Sequence, residues 1–232
     1  MKLAIMQPYF FPYIGYFQLI GAVDKFVVYD DVAFINKGWI NRNNILVNAK
    51  ATLFSLPLKN ASQNRSINEI EISNETNWKN KLLKTIEFSY KKAPRFNQVF
   101  PLIADVIQSE KEYISQLALL SIQAVVNYLQ LSTDFVCTSA VYNNTHLKAQ
   151  QRILDICQKE KAEFYINPIG GKEIYSSELF EKSGIEIGFL KTIEHSYPQF
   201  ANPFVPNLSI VDVLMFNSID QAQQLLKEYT VI

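Results

Sequence analysis

Apolar residues recur along this chain with two different periods, and the order in which the periods alternate predicts a fold. The apolar run Lys2 to Met6 is followed by an aromatic loop, by helical spacing from Ile14 to Ala22, and by a second apolar run from Lys25 to Tyr29. That reads as strand, helix, strand. Apolar segments at Ile45 to Val47 and Leu53 to Leu58, separated by Asn48, Ala49 and Lys50, predict a hairpin. Three helices then follow in a row, Trp78 to Tyr90, Phe96 to Gln108 and Tyr113 to Gln130, with Pro94 and Pro101 as punctuation. Phe135 to Thr138, a helix from about His146 to Glu160, Phe164 to Ile166, a short helix from Ser176, and Glu186 to Leu190 restore the alternation. Leu208 to Phe216 predicts another helix, and Ser218 or Asp220 starts a last amphipathic one. Strands alternating with helices argue for a parallel sheet with helical layers. The expectation is an α/β fold with a mostly parallel, Rossmann-like sheet, built as a single domain over residues 1–232 with a helical insertion at about 77–131.

Composition narrows the function classes. The 232 residues are 48% hydrophobic, and 22 basic residues balance 22 acidic ones, so disorder is excluded and bulk charge gives no reason to expect a nucleic-acid partner. None of the seven glycines lies between Gly38 and Gly170; neither a Walker A motif nor GxGxxG occurs. Gln7, Pro8 and Pro12 interrupt the apolar start before it reaches the length of a signal peptide. No residue between Glu112 and Asp134 is charged, yet Gln116, Gln123, Asn127 and Gln130 draw a polar stripe there, the pattern of a core helix rather than a membrane span. Cys137 in an apolar run and Cys157 on an apolar helix face have no metal-like spacing and are expected to be buried, reduced thiols. A cytoplasmic protein without membrane insertion is the resulting expectation.

Candidate chemistry falls at the ends of predicted strands. Of 16 Phe, 12 Tyr and 2 Trp, six aromatics sit between Tyr9 and Phe17, in the loop after the first strand, where open parallel sheets bind ligands. Tyr9, Tyr13 and Tyr16 suit a base or sugar ring, Gln7 adds a polar handle, and Gly15 lets a phosphate approach backbone N–H groups; closing the end of the sheet is the alternative use. Asp30 and Asp31 end the second strand facing opposite ways, so that one binds a metal, a ribose hydroxyl or an amine while the other caps a turn, or both cap. Lys37, Trp39, Asn41 and Arg42 form either a carboxylate or phosphate clamp or a solvated loop. Lys148 and Arg152, four apart on one helix, add a second anionic site if that face meets the cleft. Gly170 and Gly171 hold ligand or simply turn the chain.

Histidine is scarce. His146 reads as exposed and structural at a helix start, whereas His195, in a proline-rich segment after a predicted strand, is the first choice for a general base near neutral pH. Asp212 interrupts the apolar helix Leu208 to Phe216, where a carboxylate is costly unless paired; His195 or a lysine is the expected partner. Tyr197 lies in the same segment as His195.

The segments Met6 to Ile20, Asp24 to Asp31 and Gly38 to Arg42 resemble the WbqC-like proteins of bacteria. The similarity continues through Leu58 and Lys59, Arg152 to Cys157, Tyr165 with Gly170 and Gly171, Tyr197 to Gln199, and Phe204 to Pro206. This resemblance implies a role in surface polysaccharide, or O-antigen, assembly. The first strand, loop and helix are also similar to those of nucleotidylyltransferases, whose H-x-G-H motif is replaced here by Tyr13, Ile14, Gly15 and Tyr16; tyrosine can hydrogen-bond a phosphate but carries no positive charge. The combined expectation is a transferase that acylates or aminoacylates a nucleotide-linked amino sugar. His195 is its base, supported by Asp212 or Asp30; Lys37, Arg42 and Arg152 hold diphosphate or carboxylate; and Gln7, Tyr13 and Tyr16 cradle a base or sugar. A non-catalytic nucleotide-sugar or glycan binding module is the alternative. The expected partner is thus a small molecule, and no motif names a cofactor or a metal site.

Overall fold

The computed structural model describes residues 1–200 and 203–232. In chain order, β1 (Lys2–Met6) leads through α1 (Ile14–Gly21) to β2 (Lys25–Val28). The hairpin β3 (Arg42–Val47) and β4 (Lys50–Ser55), the short pair β5 (Leu58–Lys59) and β6 (Glu71–Ile72), and helices α2 (Trp78–Tyr90), α3 (Phe96–Gln108) and α4 (Ile114–Tyr128) precede β7 (Asp134–Val136). The rest is α5 (Ala149–Lys159), β8 (Phe164–Pro168), α6 (Ser177–Lys182), β9 (Glu186–Thr192), α7 (Ile210–Phe216), α8 (Ile219–Leu225) and β10 (Tyr229–Val231).

The fold is mixed α/β with a mostly parallel central sheet. Its strand order is β10-β9-β8-β1-β2-β7, parallel throughout except for β10, which runs antiparallel to β9. From β1 the chain steps outward to β2 and β7, then returns to build β8 and β9 on the other side, so the winding reverses between β1 and β8. Ligands of open α/β sheets bind outside the carboxyl ends of strands at such a reversal. Both sheet faces are covered. Leu3, Ile5, Val27 and Tyr165 pack with Ile153, Ile156 and Phe180 on one face, while Ala4, Phe26, Val28 and Ile166 pack with Phe17, Leu19 and Ile20 on the other, as the period-two direction of strand side chains requires.

Several local expectations needed correction. The hairpin turn is two residues, Asn48 and Ala49, both left-handed at φ 49° and 60°, the geometry of a type I′ turn. Pro101 lies on an exposed position inside α3 instead of ending it. Cys137 is exposed, just past the edge strand β7; only Cys157 is buried. Strand β10 has no clear apolar alternation, and its existence depends on pairing with β9. Helix α4 buries Ile114, Leu117, Ala118, Ile122 and Val125 and exposes Gln116 and Asn127. Among the described residues, no helix is long and apolar enough to cross a membrane.

Candidate functional site

Buried polar side chains hold the loop between β1 and α1 from within. Phe11 has a left-handed φ of 42°, a costly conformation for a non-glycine residue. Its N–H donates to Ser121 Oγ at 2.9 Å, and its carbonyl accepts from Asn43 Nδ2 and Ser209 Oγ, each at 2.7 Å. Phe10 and Phe11 thereby anchor the loop in the core. Tyr16, expected to face a ligand, is buried against Phe17 and Phe26 and donates its hydroxyl to the Gln7 carbonyl at 2.9 Å. Tyr9 packs on Tyr16, and burial pushes its hydroxyl pKa up to about 12. These two rings close the end of the sheet; Tyr13, at the start of α1, takes a different position.

A cavity of about 260 Å³ lies between the start of α1 and the end of β9, lined by Tyr13, Gln18, Thr192, Glu194, His195 and Tyr197 among others. Gly15 allows this close approach, because a Cβ there would lie 2.3 Å from the Tyr13 ring and 2.7 Å from Thr192 Oγ1. Gln18 Nε2 donates to the carbonyls of Leu225 and Glu228 at 2.9 and 3.0 Å, tying α1 to the C-terminal segment. His195 Nε2 lies 3.2 Å from Glu228 Oε2, with the two side chains 44% and 43% exposed. Pairing of β9 with β10 creates this juxtaposition: the Ile193 N–H donates to the Glu228 carbonyl at 2.9 Å.

Asp212 has neither of its expected partners. Its Oδ1 accepts from the Tyr90 hydroxyl at 2.8 Å, and its Oδ2 accepts from the Tyr197 hydroxyl and Gln199 Nε2, each at 2.7 Å. Three neutral donors satisfy a fully buried carboxylate, so Asp212 braces the cavity wall through Tyr197. Burial raises its pKa above the ordinary carboxylate value, while the three donors pull it down. A carboxyl raised on folding contributes stability that is present below its unfolded pKa and lost as pH rises through its folded one. Asp212→Asn removes this titration at an offset of about 1 kcal/mol, since Gln199 Nε2 keeps the Val205 carbonyl but loses one of its two acceptors. Urea melts should therefore show the variant gaining on the wild type as pH rises upward from the ordinary carboxylate range; a pH-independent difference would contradict a raised Asp212.

The residues outside β2 form a second cluster. Asp30 accepts from Thr138 Oγ1 at 2.7 Å and from the Ser139 N–H at 3.2 Å, tying β2 to the end of β7; burial raises its pKa against those donors. Asp31 pairs with Arg152 Nη2 at 2.5 Å and accepts from the Ser139 hydroxyl. Arg152, 5% exposed, also donates from Nε to Asn144 Oδ1 at 2.8 Å and from Nη1 to the Asp31 carbonyl at 3.2 Å, with its guanidinium carbon 4.9 Å from the Tyr29 ring centre. Neither aspartate supports His195, and Arg152 holds the fold's own carboxylate. Lys148 stands exposed at the residue before α5, with no side-chain bond to the helix start, and shares no site with buried Arg152. Gly170 and Gly171 lie in a tight 3₁₀ turn, Ile169–Ile174, after β8, where a Cβ on Gly171 would meet Asn167 Nδ2 at 2.0 Å. Gln7 sits half-buried at the carboxyl end of β1, between the ends of β8 and β2.

The loop before β3 is folded on itself. Arg42 donates from Nε to the Gly38 carbonyl at 2.7 Å and from Nη2 to that of Lys37, and its guanidinium carbon lies 5.6 Å from the ring centre of exposed Trp39. Asn41 Nδ2 donates to the Leu56 carbonyl at 2.8 Å, and Lys37 is exposed in a left-handed conformation. None of these four residues lines the cavity beside His195. The expected site residues thus fall into four groups: Tyr13, Gly15, His195 and Tyr197 at the cavity with Asp212 behind Tyr197; the Asp30, Asp31 and Arg152 cluster, with Gln7 and the glycine turn, past the carboxyl ends of the strands; Tyr9 and Tyr16 in the packing that closes the sheet; and this loop. Glu228, Thr192 and Gln18 were missed. Glu228 carries no local signal because it reaches His195 only through β10. Among the described residues, no group of three or more His, Cys, Asp or Glu side chains is placed to hold a metal ion.

Comparison with known proteins agrees with the resemblance. The uncharacterized protein Rv1507c of Mycobacterium tuberculosis is 28% identical over 231 residues, covering 97% of each chain. No solved structure matches. The model of the WbqC-like protein family matches residues 7–224, a span that contains the aromatic loop, the Asp31–Arg152 pair, His195 and Asp212, and the chain belongs to that family.

Proposed function

We propose that this protein is a transferase of surface-polysaccharide assembly that acylates or aminoacylates a nucleotide-linked amino sugar in the cavity beside His195. One observation carries the reading: His195 is paired with Glu228 at the rim of a cavity lined by Tyr13, Thr192 and Tyr197. A carboxylate at one ring nitrogen orients an imidazole, leaving the other nitrogen for a substrate proton. In this mechanism the sugar amine attacks the activated acyl carbon and a new C–N bond forms. His195 takes the amine proton and returns it to the departing group as the bond to that group breaks. Tyrosine and threonine hydroxyls are suited to orienting a sugar. The winding reversal between β1 and β8, typical of nucleotide-binding sheets, supports the nucleotide part of the reading.

Thermal denaturation with UDP-, CMP- and dTDP-linked amino sugars tests the binding step. A ligand at a hundredfold excess over its Kd stabilises the native state by about 2.7 kcal/mol, a rise in Tm of roughly 5–11 °C for a chain of this size. No shift with any of them would overturn the reading. Stabilisation without turnover against acyl or aminoacyl donors, followed by mass spectrometry, would reassign the protein to the non-catalytic role.

A further inference from the structure

One face of the molecule combines open apolar side chains with lysines that form no ion pair among the described residues, although the chain as a whole is neutral. A groove of about 600 Å³ runs between β4 and α2, lined by Leu53, Phe54 and Leu82 with Lys81 at its side. Near the end of α2, a second depression of about 460 Å³ gathers Phe88, Phe200 and Ala49 with Lys91 and Lys92. Leu53, Phe88 and Phe200 are 51%, 64% and 46% exposed. Among the described residues, no aspartate or glutamate lines either depression. Helical spacing puts Lys81, Lys84, Phe88 and Lys91 on one stripe of α2. These three lysines and Lys92 are exposed, and none forms an ion pair among the described residues.

We propose that the β4–α2 face docks the protein on an anionic lipid surface, lying on the bilayer without spanning it. Exposed phenylalanine and leucine enter the boundary between headgroups and acyl chains, and lysines on the same stripe meet the lipid phosphates. Unneutralised lysine among the apolar contacts argues against a protein partner, because the buried centre of protein–protein interfaces is depleted in lysine. The proposal stands independently of the chemistry assigned to the cavity.

Co-sedimentation of the full chain with phosphatidylcholine vesicles, with and without one-third phosphatidylglycerol, tests it. Wild type is expected to sediment with the anionic vesicles, to remain free of the neutral ones, and to be released by high salt. The exposed double variant Lys84→Glu/Lys91→Glu should partition at least about tenfold more weakly, and Phe88→Ser should reduce binding while melting like wild type. Absence of binding to anionic vesicles at low salt, or equal binding by the charge-reversal variant, would overturn the proposal. So would a concentration-dependent dimer that these substitutions disrupt in the absence of vesicle binding, which would reassign the face to self-association.

Discussion

Arg152→Ala is expected to cost about 3–5 kcal/mol of stability, a fall in Tm of roughly 6–20 °C at this chain length. The side chains of Arg152 and Asp31 are 6% and 9% exposed, so removing the guanidinium strands a carboxylate that water reaches poorly. Asn144 Oδ1, fully buried, loses its Nε donor, and the Tyr29 ring loses the cation over its face. Arg152→Lys keeps the charge but not the planar fork that serves Asp31 and Asn144 together, and should recover only part of the loss. A double-mutant cycle with Asp31→Ala separates the pair from its surroundings: the double variant should be more stable than the sum of the single losses implies, because no charge is then left unpartnered. Additive losses would show that the two residues act independently.

His195→Ala is expected to leave the fold intact and to lower kcat by about 10²–10⁴-fold in the acyl- or aminoacyl-transfer assay, the usual contribution of a positioned general base. The side chain is half exposed, and its contact with Glu228 lies at the surface, where ion pairs contribute only about 0–1 kcal/mol. Loss of turnover should therefore come without loss of Tm. Glu228→Gln tests the orienting role: the imidazole remains but loses the carboxylate 3.2 Å from its Nε2, so activity should fall, and by less than in His195→Ala. Full turnover by His195→Ala would remove this residue from the mechanism, and full turnover by Glu228→Gln would remove its partner.

The helical segments were legible almost to the residue. Trp78–Tyr90 and Phe96–Gln108 have the ends read from their spacing, because apolar stripes every three or four residues reflect the face each helix buries. Strands β1 and β2 were legible for a similar reason. Strand β10 was not, since a three-residue edge strand has too few side chains to show a period and is specified by pairing with β9. The exposure of Cys137 was also missed, because an apolar run at a sheet edge resembles one in its centre until the strand order is known.

The site divides in the same way. His195, Tyr13 and Tyr197 were recognised as chemistry-bearing side chains beside strand ends, and they share one cavity. The connections between polar groups were misread: Asp212 was given to His195 or a lysine, and Arg152 was read as a clamp for a ligand. Asp31 and Arg152 are 121 residues apart, a separation across which no local pattern specifies a contact. Apolar periodicity, a local property of the chain, was enough for the order of the helices and the longer strands and for the faces they bury, but not for the short strands β5, β6 and β10. Packing between distant elements is what brings His195 to Glu228, Asp31 to Arg152, and Asp212 to Tyr90, Tyr197 and Gln199. A buried polar group must be satisfied by whatever partner packing brings within reach, and packing joins elements that are distant in sequence.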